Sequence, residues 1–147
     1  MKINVKKMLS KTLAGALAGA LVFSTGMTIT WANTILTTED MSFDEESGDY
    51  VSYTRGRSKD NTSDAYIEGV SATDGHTFAA ALVGATSNGG TTYYENFPLR
   101  YYHVYPGRGQ YMTNYVKQSG YNYAAMKCES DYSSKYSVTF KWSPDRP

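Results

Sequence analysis

The chain has 147 residues, of which 14 are basic and 14 are acidic, so its formal net charge is 0. Removal of residues 1–32 would take away four lysines and leave 10 basic against 14 acidic residues, a formal charge of −4. This balance argues against nucleic acid or an anionic bilayer as the main partner, because both require clustered positive charge. The remaining length suits a single domain.

The first 32 residues have the order of a secretory leader. Four lysines precede an apolar run of 11 residues from Leu13 to Phe23, and small and polar residues follow up to Ala32. That order is typical of a signal peptide, and the apolar run is too short to span a bilayer. We therefore predict a signal helix that is cleaved after Ala32, a secreted product, and membrane contact only through the leader. An uncleaved anchor over the uncharged stretch 12–32 is the alternative.

Residues 33–49 contain six acidic residues and no basic residue. Only Ile35, Leu36, Met41 and Phe43 could be buried there, which is little apolar surface to offset the entropy of ordering. We expect a flexible acidic arm. The spacing of a calcium-binding loop is absent from it.

Eight short runs rich in aromatic or β-branched residues follow, at 50–54, 65–70, 76–85, 91–95, 99–105, 110–117, 121–128 and 135–142. Turn signals such as Asp74-Gly75 and Ser119-Gly120 separate them. The pattern predicts an all-β domain over 50–147, a small antiparallel β-sandwich or barrel of about 7–8 strands. The run 76–85 is apolar on both faces, so a central strand or a short helix both fit, and Gly84 favours the strand.

The single cysteine, Cys128, has no partner for an internal disulfide. One interpretation is a small apolar residue buried in a strand. The other is an exposed thiol that is reactive or joins two chains in a disulfide-linked dimer.

Catalytic and metal-binding signals are weak. A hydrolase would need His76 or His103 beside a serine or Cys128, yet no Gly-x-Ser-x-Gly motif occurs. Zinc-binding patterns are also absent, since the two histidines lie far apart and no Cys pair or His-Glu-x-x-His motif is present. We expect no catalytic residue, no metal and no cofactor.

Three basic residues, Arg55, Arg57 and Lys59, lie close together after the first predicted strand. They could hold a phosphate or sulfate, because guanidinium groups offer paired donors to such anions. A polar hairpin loop that keeps a sheet edge from pairing is the favoured alternative.

All 14 tyrosines lie after residue 49. Tyrosines that alternate along strands could stack on sugar rings or contact a protein, while packing of a small core is the alternative. The wider group includes Tyr93, Tyr94 and Tyr102. The predicted binding residues are Tyr101, Tyr105, Tyr111, Tyr115, Tyr121 and Tyr123, together with the three basic residues above.

The sequence contains several short motifs: Lys59, Thr62-Ser63, Tyr66, Asn114–Val116, Gly120–Ala124 and Trp142–Asp145. In these motifs the chain resembles a group of small secreted Firmicutes proteins of unknown function that end in Trp-Ser-Pro-Asp. The resemblance implies a signal peptide and a β-rich body, without an agreed activity. A more limited likeness to lactococcin-type bacteriocins is carried by Ser52-Tyr53, Gly56, Lys59 and Tyr93-Tyr94.

These observations together predict a secreted, non-catalytic β module. We expect it to bind a cell-surface glycan, a wall component or a protein through a tyrosine-rich face. A bacteriocin-like toxin and a small secreted hydrolase are the alternatives.

Overall fold

A computed structural model describes residues 34–147, so the predicted signal peptide lies outside the described residues. Within this range the chain is almost entirely β, as predicted, and no helix is long and apolar enough to cross a membrane. Its strands are β1 (Thr37–Phe43), β2 (Val51–Tyr53), β3 (Arg57–Ser58), β4 (Ala65–Ala72), β5 (Phe78–Ala85), β6 (Tyr93–Tyr94), β7 (Tyr102–Val104), β8 (Gly109–Met112), β9 (Tyr123–Ser130) and β10 (Tyr136–Ser143).

The strands form two antiparallel sheets in a sandwich-like arrangement. The first sheet has four strands in the order β1-β10-β4-β8. The second has six strands and follows the order β2-β9-β5-β6, with β3 also pairing with β9 and β7 also pairing with β5. Each predicted strand run overlaps one of these strands.

The core lies between the two sheets and follows the two-residue period of the strands. In β10, Val138, Phe140 and Trp142 are buried, whereas Ser137 is exposed. Phe140 packs against Phe78 of β5, with ring centroids 5.3 Å apart. The interpretation of 76–85 as a helix is wrong: β5 is a central strand and lies beside β9 on one side and β6 and β7 on the other.

The prediction of a flexible arm over 33–49 is wrong for β1. This strand pairs along its whole length with β10, from Thr37 opposite Trp142 to Phe43 opposite Tyr136. Met41 and Phe43 point into the core, where the Phe43 ring lies 5.2 Å from that of Tyr136. Met41 and Phe43 alternate with polar residues. One face of β1 is therefore buried while the polar side chains between them stay at the surface, so the strand forms despite the acidic composition of the segment.

Candidate functional site

The predicted tyrosines do not form one face, because the fold distributes them over both sheets. Tyr111 belongs to β8 of the four-stranded sheet, whereas Tyr123 belongs to β9 of the six-stranded sheet. Tyr121 lies two residues before the start of β9 and packs partly against the core. The single tyrosine-rich face expected from sequence is therefore replaced by several separate aromatic sites.

Four of the predicted tyrosines each lie beside a cation of the chain itself. The guanidinium of Arg146 lies 4.4 Å from the ring of Tyr111, and those of Arg108 and Arg100 lie 5.6 Å and 5.3 Å from the rings of Tyr105 and Tyr115. Lys127 Nζ lies 5.8 Å from the ring of Tyr101. These pairs are cation–π contacts, so part of each ring already has an intramolecular partner.

The predicted anion-binding cluster of Arg55, Arg57 and Lys59 does not exist. Arg55 is exposed, whereas Lys59 is fully buried and Arg57 is half-buried in β3. Because Arg57 lies in β3, which pairs with β9, this part of the segment is a short strand and not a hairpin loop. Arg57 and Lys59 contact other parts of the chain, so they form no shared basic surface with Arg55.

Lys59 forms an internal ion pair with Asp145, and both side chains are 0% exposed. Its Nζ donates to Asp145 Oδ1 at 2.7 Å and to the carbonyl of Ser63 at 2.6 Å, while the amide of Asp60 donates to Asp145 Oδ2 at 2.9 Å. Burial lowers the pKa of the Lys59 ammonium, and the hydrogen bond to Asp145 opposes that shift. The pair joins the segment after β3 to the C-terminal Trp-Ser-Pro-Asp motif.

Arg57 supports the same end of the molecule. It donates to the carbonyls of Trp142 at 2.8 Å and Ile35 at 2.6 Å, and its guanidinium lies 5.1 Å from the Trp142 ring. Burial lowers the pKa of the Arg57 guanidinium, and the charge of Glu39 opposes the shift. Arg57 and Lys59 therefore have structural contacts in place of the predicted anion contacts.

A groove beside the edge of the six-stranded sheet brings three tyrosines together with polar groups. We call it the tyrosine groove, and it is lined by Ala85, Thr86, Tyr94, Gly120, Tyr121, Asn122 and Tyr123. It is open to solvent and has a volume of ≈ 290 Å³. Two of the predicted binding residues, Tyr121 and Tyr123, lie here, and Tyr94 joins them.

The rings of the tyrosine groove are held in place by packing. Tyr94 and Tyr121 stack with centroids 4.8 Å apart and planes inclined by 18°. Gly84 lies against the Tyr121 ring so closely that an added Cβ would come within 2.9 Å of it. The Tyr121 hydroxyl donates to Asn96 Oδ1 at 2.7 Å, which fixes the ring further. The platform is thus largely preformed, which reduces the entropy lost when a ligand binds.

The groove also offers polar groups without intramolecular partners. Within residues 34–147, the hydroxyls of Tyr94 and Tyr123 and the amide nitrogen of Asn122 make no hydrogen bond. Lys117 Nζ donates to Asn122 Oδ1 at 2.7 Å, which orients the amide so that its nitrogen is available to donate elsewhere. Tyr94 is 38% exposed, so a ligand could reach its ring and its hydroxyl.

A second polar group lies on the outer face of the six-stranded sheet. Lys127 Nζ contacts Glu95 Oε2 at 2.8 Å and Glu129 Oε1 at 3.1 Å. Tyr53 and Tyr101 donate their hydroxyls to Glu95 and Glu129 at 2.7 Å and 2.8 Å. These five side chains satisfy one another. Tyr53 also packs, together with Tyr93, Leu99 and Tyr123, against a small cluster of buried residues, Val83, Ala85 and Ala125.

The pKa values in this group follow from its contacts. Burial and the hydrogen bond to Glu95 raise the pKa of Tyr53 to about 12. Burial alone would lower the pKa of Lys127, but hydrogen bonds to Glu95, Tyr101 and Glu129 raise it above its usual value. The contacts that raise the pKa of Lys127 keep it charged between the two carboxylates, so this group has a structural role.

Neither histidine is arranged as the hydrolase alternative requires. His103 Nδ1 lies 3.1 Å from Asp131 Oδ2, and His76 stacks on Tyr132 with centroids 4.0 Å apart. Within the described residues, no serine or cysteine is hydrogen-bonded to either ring. No group of three or more His, Cys, Asp or Glu side chains in that part of the chain is placed to share a metal ion.

Cys128 is fully buried in β9, which agrees with its interpretation as a small apolar residue buried in a strand. Burial raises the pKa of its thiol well above the usual value, because the thiolate would lose its hydration. A disulfide to a second chain would require the sandwich to open.

Sequence reasoning used Gly84 only as an indicator of a strand, assigned no binding role to Asn122, and did not separate Tyr94 from the other tyrosines. One signal for the groove was present, since Gly120-Tyr-Asn-Tyr-Ala124 is among the motifs that carried the family resemblance. The pairing of Gly84 with Tyr94 across β5 and β6 has no sequence signal, because it depends on strand order.

Comparison with known proteins agrees with the expected membership of an uncharacterised family, while the bacteriocin likeness stays a prediction. No curated protein and no solved structure matches the chain. A family model matches residues 29–146, which includes both sheets. The chain therefore belongs to the family described as protein of unknown function DUF2712.

Proposed function

We propose that the protein is exported and acts as a non-catalytic module that binds a cell-surface, wall or protein partner through the tyrosine groove. The N-terminal sequence supports export, since its lysines, apolar run and small residues follow the order of a signal peptide. The groove supports binding.

One observation carries the proposal: the groove combines a stacked aromatic platform with three unpaired polar groups at the surface. Tyrosines and asparagines are common at recognition surfaces, because their rings and amides provide contact area and hydrogen bonds at low entropic cost. The rings of Tyr105, Tyr111 and Tyr115 each already contact a cation of the chain. The groove is therefore the strongest candidate among the aromatic sites.

The proposal is tested by co-sedimentation of the purified protein with intact Gram-positive cells and with isolated cell walls. We expect saturable pelleting of the natural chain. Tyr94→Ala should weaken it roughly tenfold or more, as expected when an anchoring aromatic residue is removed. Gly84→Ala should also weaken it, because the added methyl group displaces the Tyr121 ring.

Tyr105→Ala is the matched control, because it removes an exposed tyrosine outside the groove and should leave pelleting unchanged. Circular dichroism and thermal unfolding would verify that each variant is folded. Failure of the natural chain to pellet would refute binding to a cell-surface or wall partner, and equal pelleting by folded Tyr94→Ala would refute the role of the groove.

A further inference from the structure

We infer that the ligand of the tyrosine groove is an uncharged saccharide chain, an inference that rests on the function proposed above. The aromatic platform and the unpaired polar groups lie side by side in one open groove. A sugar ring presents apolar C–H groups on its face and hydroxyl groups around its edge. The rings of Tyr94 and Tyr121 match the first feature, and the polar groups match the second.

The absence of charge in the lining favours a neutral ligand. None of the seven residues that line the groove is ionised at neutral pH. A phosphate-rich or carboxylate-rich polymer would require arginine or lysine donors at the site. The neighbouring cation, Lys117, already donates to Asn122 Oδ1 at 2.7 Å.

The donor and acceptor arrangement suits hydroxyl groups in particular. The hydroxyls of Tyr94 and Tyr123 can each donate and accept, whereas the Asn122 amide nitrogen only donates. Sugar hydroxyls also both donate and accept, so they can satisfy all three groups of the groove. Asn122 is exposed, and because Lys117 donates to its Oδ1, the N–H groups of its amide are left to donate elsewhere.

A peptide ligand fits the groove less well. Peptides are recognised by deep apolar pockets that hold a side chain, or by a long sheet edge that supplies main-chain hydrogen bonds. The groove is open, its only aliphatic lining residue is Ala85, and β6 is a strand of two residues. Its ≈ 290 Å³ is small, but it suits contact with one part of a longer chain.

Isothermal titration calorimetry tests the inference with two neutral probes, cellohexaose and the hexamer of N-acetylglucosamine, and with polygalacturonate as an anionic comparison. We expect one or both hexasaccharides to bind more tightly than polygalacturonate. Tyr94→Ala and Asn122→Ala should each weaken that binding at least tenfold, and Tyr105→Ala should not change it. The Tyr94 variant removes the platform and the Asn122 variant removes a donor, so the two contributions are measured separately.

Two results would overturn the inference: no binding of either neutral hexasaccharide, or tighter binding of polygalacturonate. These results differ from failure of the proposed function, which is measured by groove-dependent pelleting with cells and walls. If pelleting depends on Tyr94 but is abolished by protease treatment of the cells, the groove binds a protein, and the saccharide assignment is wrong while the binding role stands.

Discussion

The ion pair of Lys59 and Asp145 shows how far the role of one residue can differ from its sequence context. Lys59 lies among basic and polar residues, which indicated a surface position, yet its ammonium is fully buried. Its partner is 86 residues away, at the C-terminal end of the chain. A charged pair removed from water contributes little net stability, but loss of one partner leaves the other charge uncompensated.

Removal of one partner should therefore strongly destabilise the fold. We expect Lys59→Met and Asp145→Asn each to lower the free energy of unfolding by about 3–5 kcal/mol, measured by urea denaturation. The double variant Lys59→Met with Asp145→Leu should recover much of the loss, because no buried charge remains. Single variants as stable as the natural chain would show that the pair is not buried as described.

At the level of elements, the alternation of residues predicted most strands. The eight aromatic and β-branched runs each coincide with a strand, since a period of two is readable in runs such as Val138, Phe140 and Trp142. β1 was missed because the six acidic residues of the segment 33–49 indicated disorder, although Met41 and Phe43 alternate as in a strand. β3 was missed because its two residues, Arg57 and Ser58, are polar and lack the aromatic or β-branched character of the predicted runs.

The contribution of β1 can be measured directly. Phe43→Ala should lower the free energy of unfolding by about 3–5 kcal/mol, because it removes a ring that is 0% exposed and leaves a cavity. Ser42→Ala is the matched control on the opposite, exposed face of the same strand and should have a small effect. A negligible effect of Phe43→Ala in urea denaturation would restore the interpretation of this segment as a flexible arm.

At the scale of the whole molecule, the candidate site results from the order of the strands. The sequence indicated that tyrosines are abundant and that some must be exposed, but ring positions depend on which sheet each strand joins. β8 lies at the edge of one sheet and β9 in the interior of the other, so Tyr111 and Tyr123 are separated. The groove forms because β6 and the segment before β9 meet beside β5, a contact between distant parts of the chain.

The most direct test of the account locates the bound surface by hydroxyl-radical footprinting of the protein with and without isolated cell walls, with oxidation read by mass spectrometry. The account predicts that the walls protect Tyr94 and Tyr123 of the groove, while the exposed Tyr105 and Tyr132 are oxidised equally in both samples. Protection of Tyr66 and Tyr111 on the four-stranded sheet, with no change at Tyr94, would contradict the assignment of the binding site.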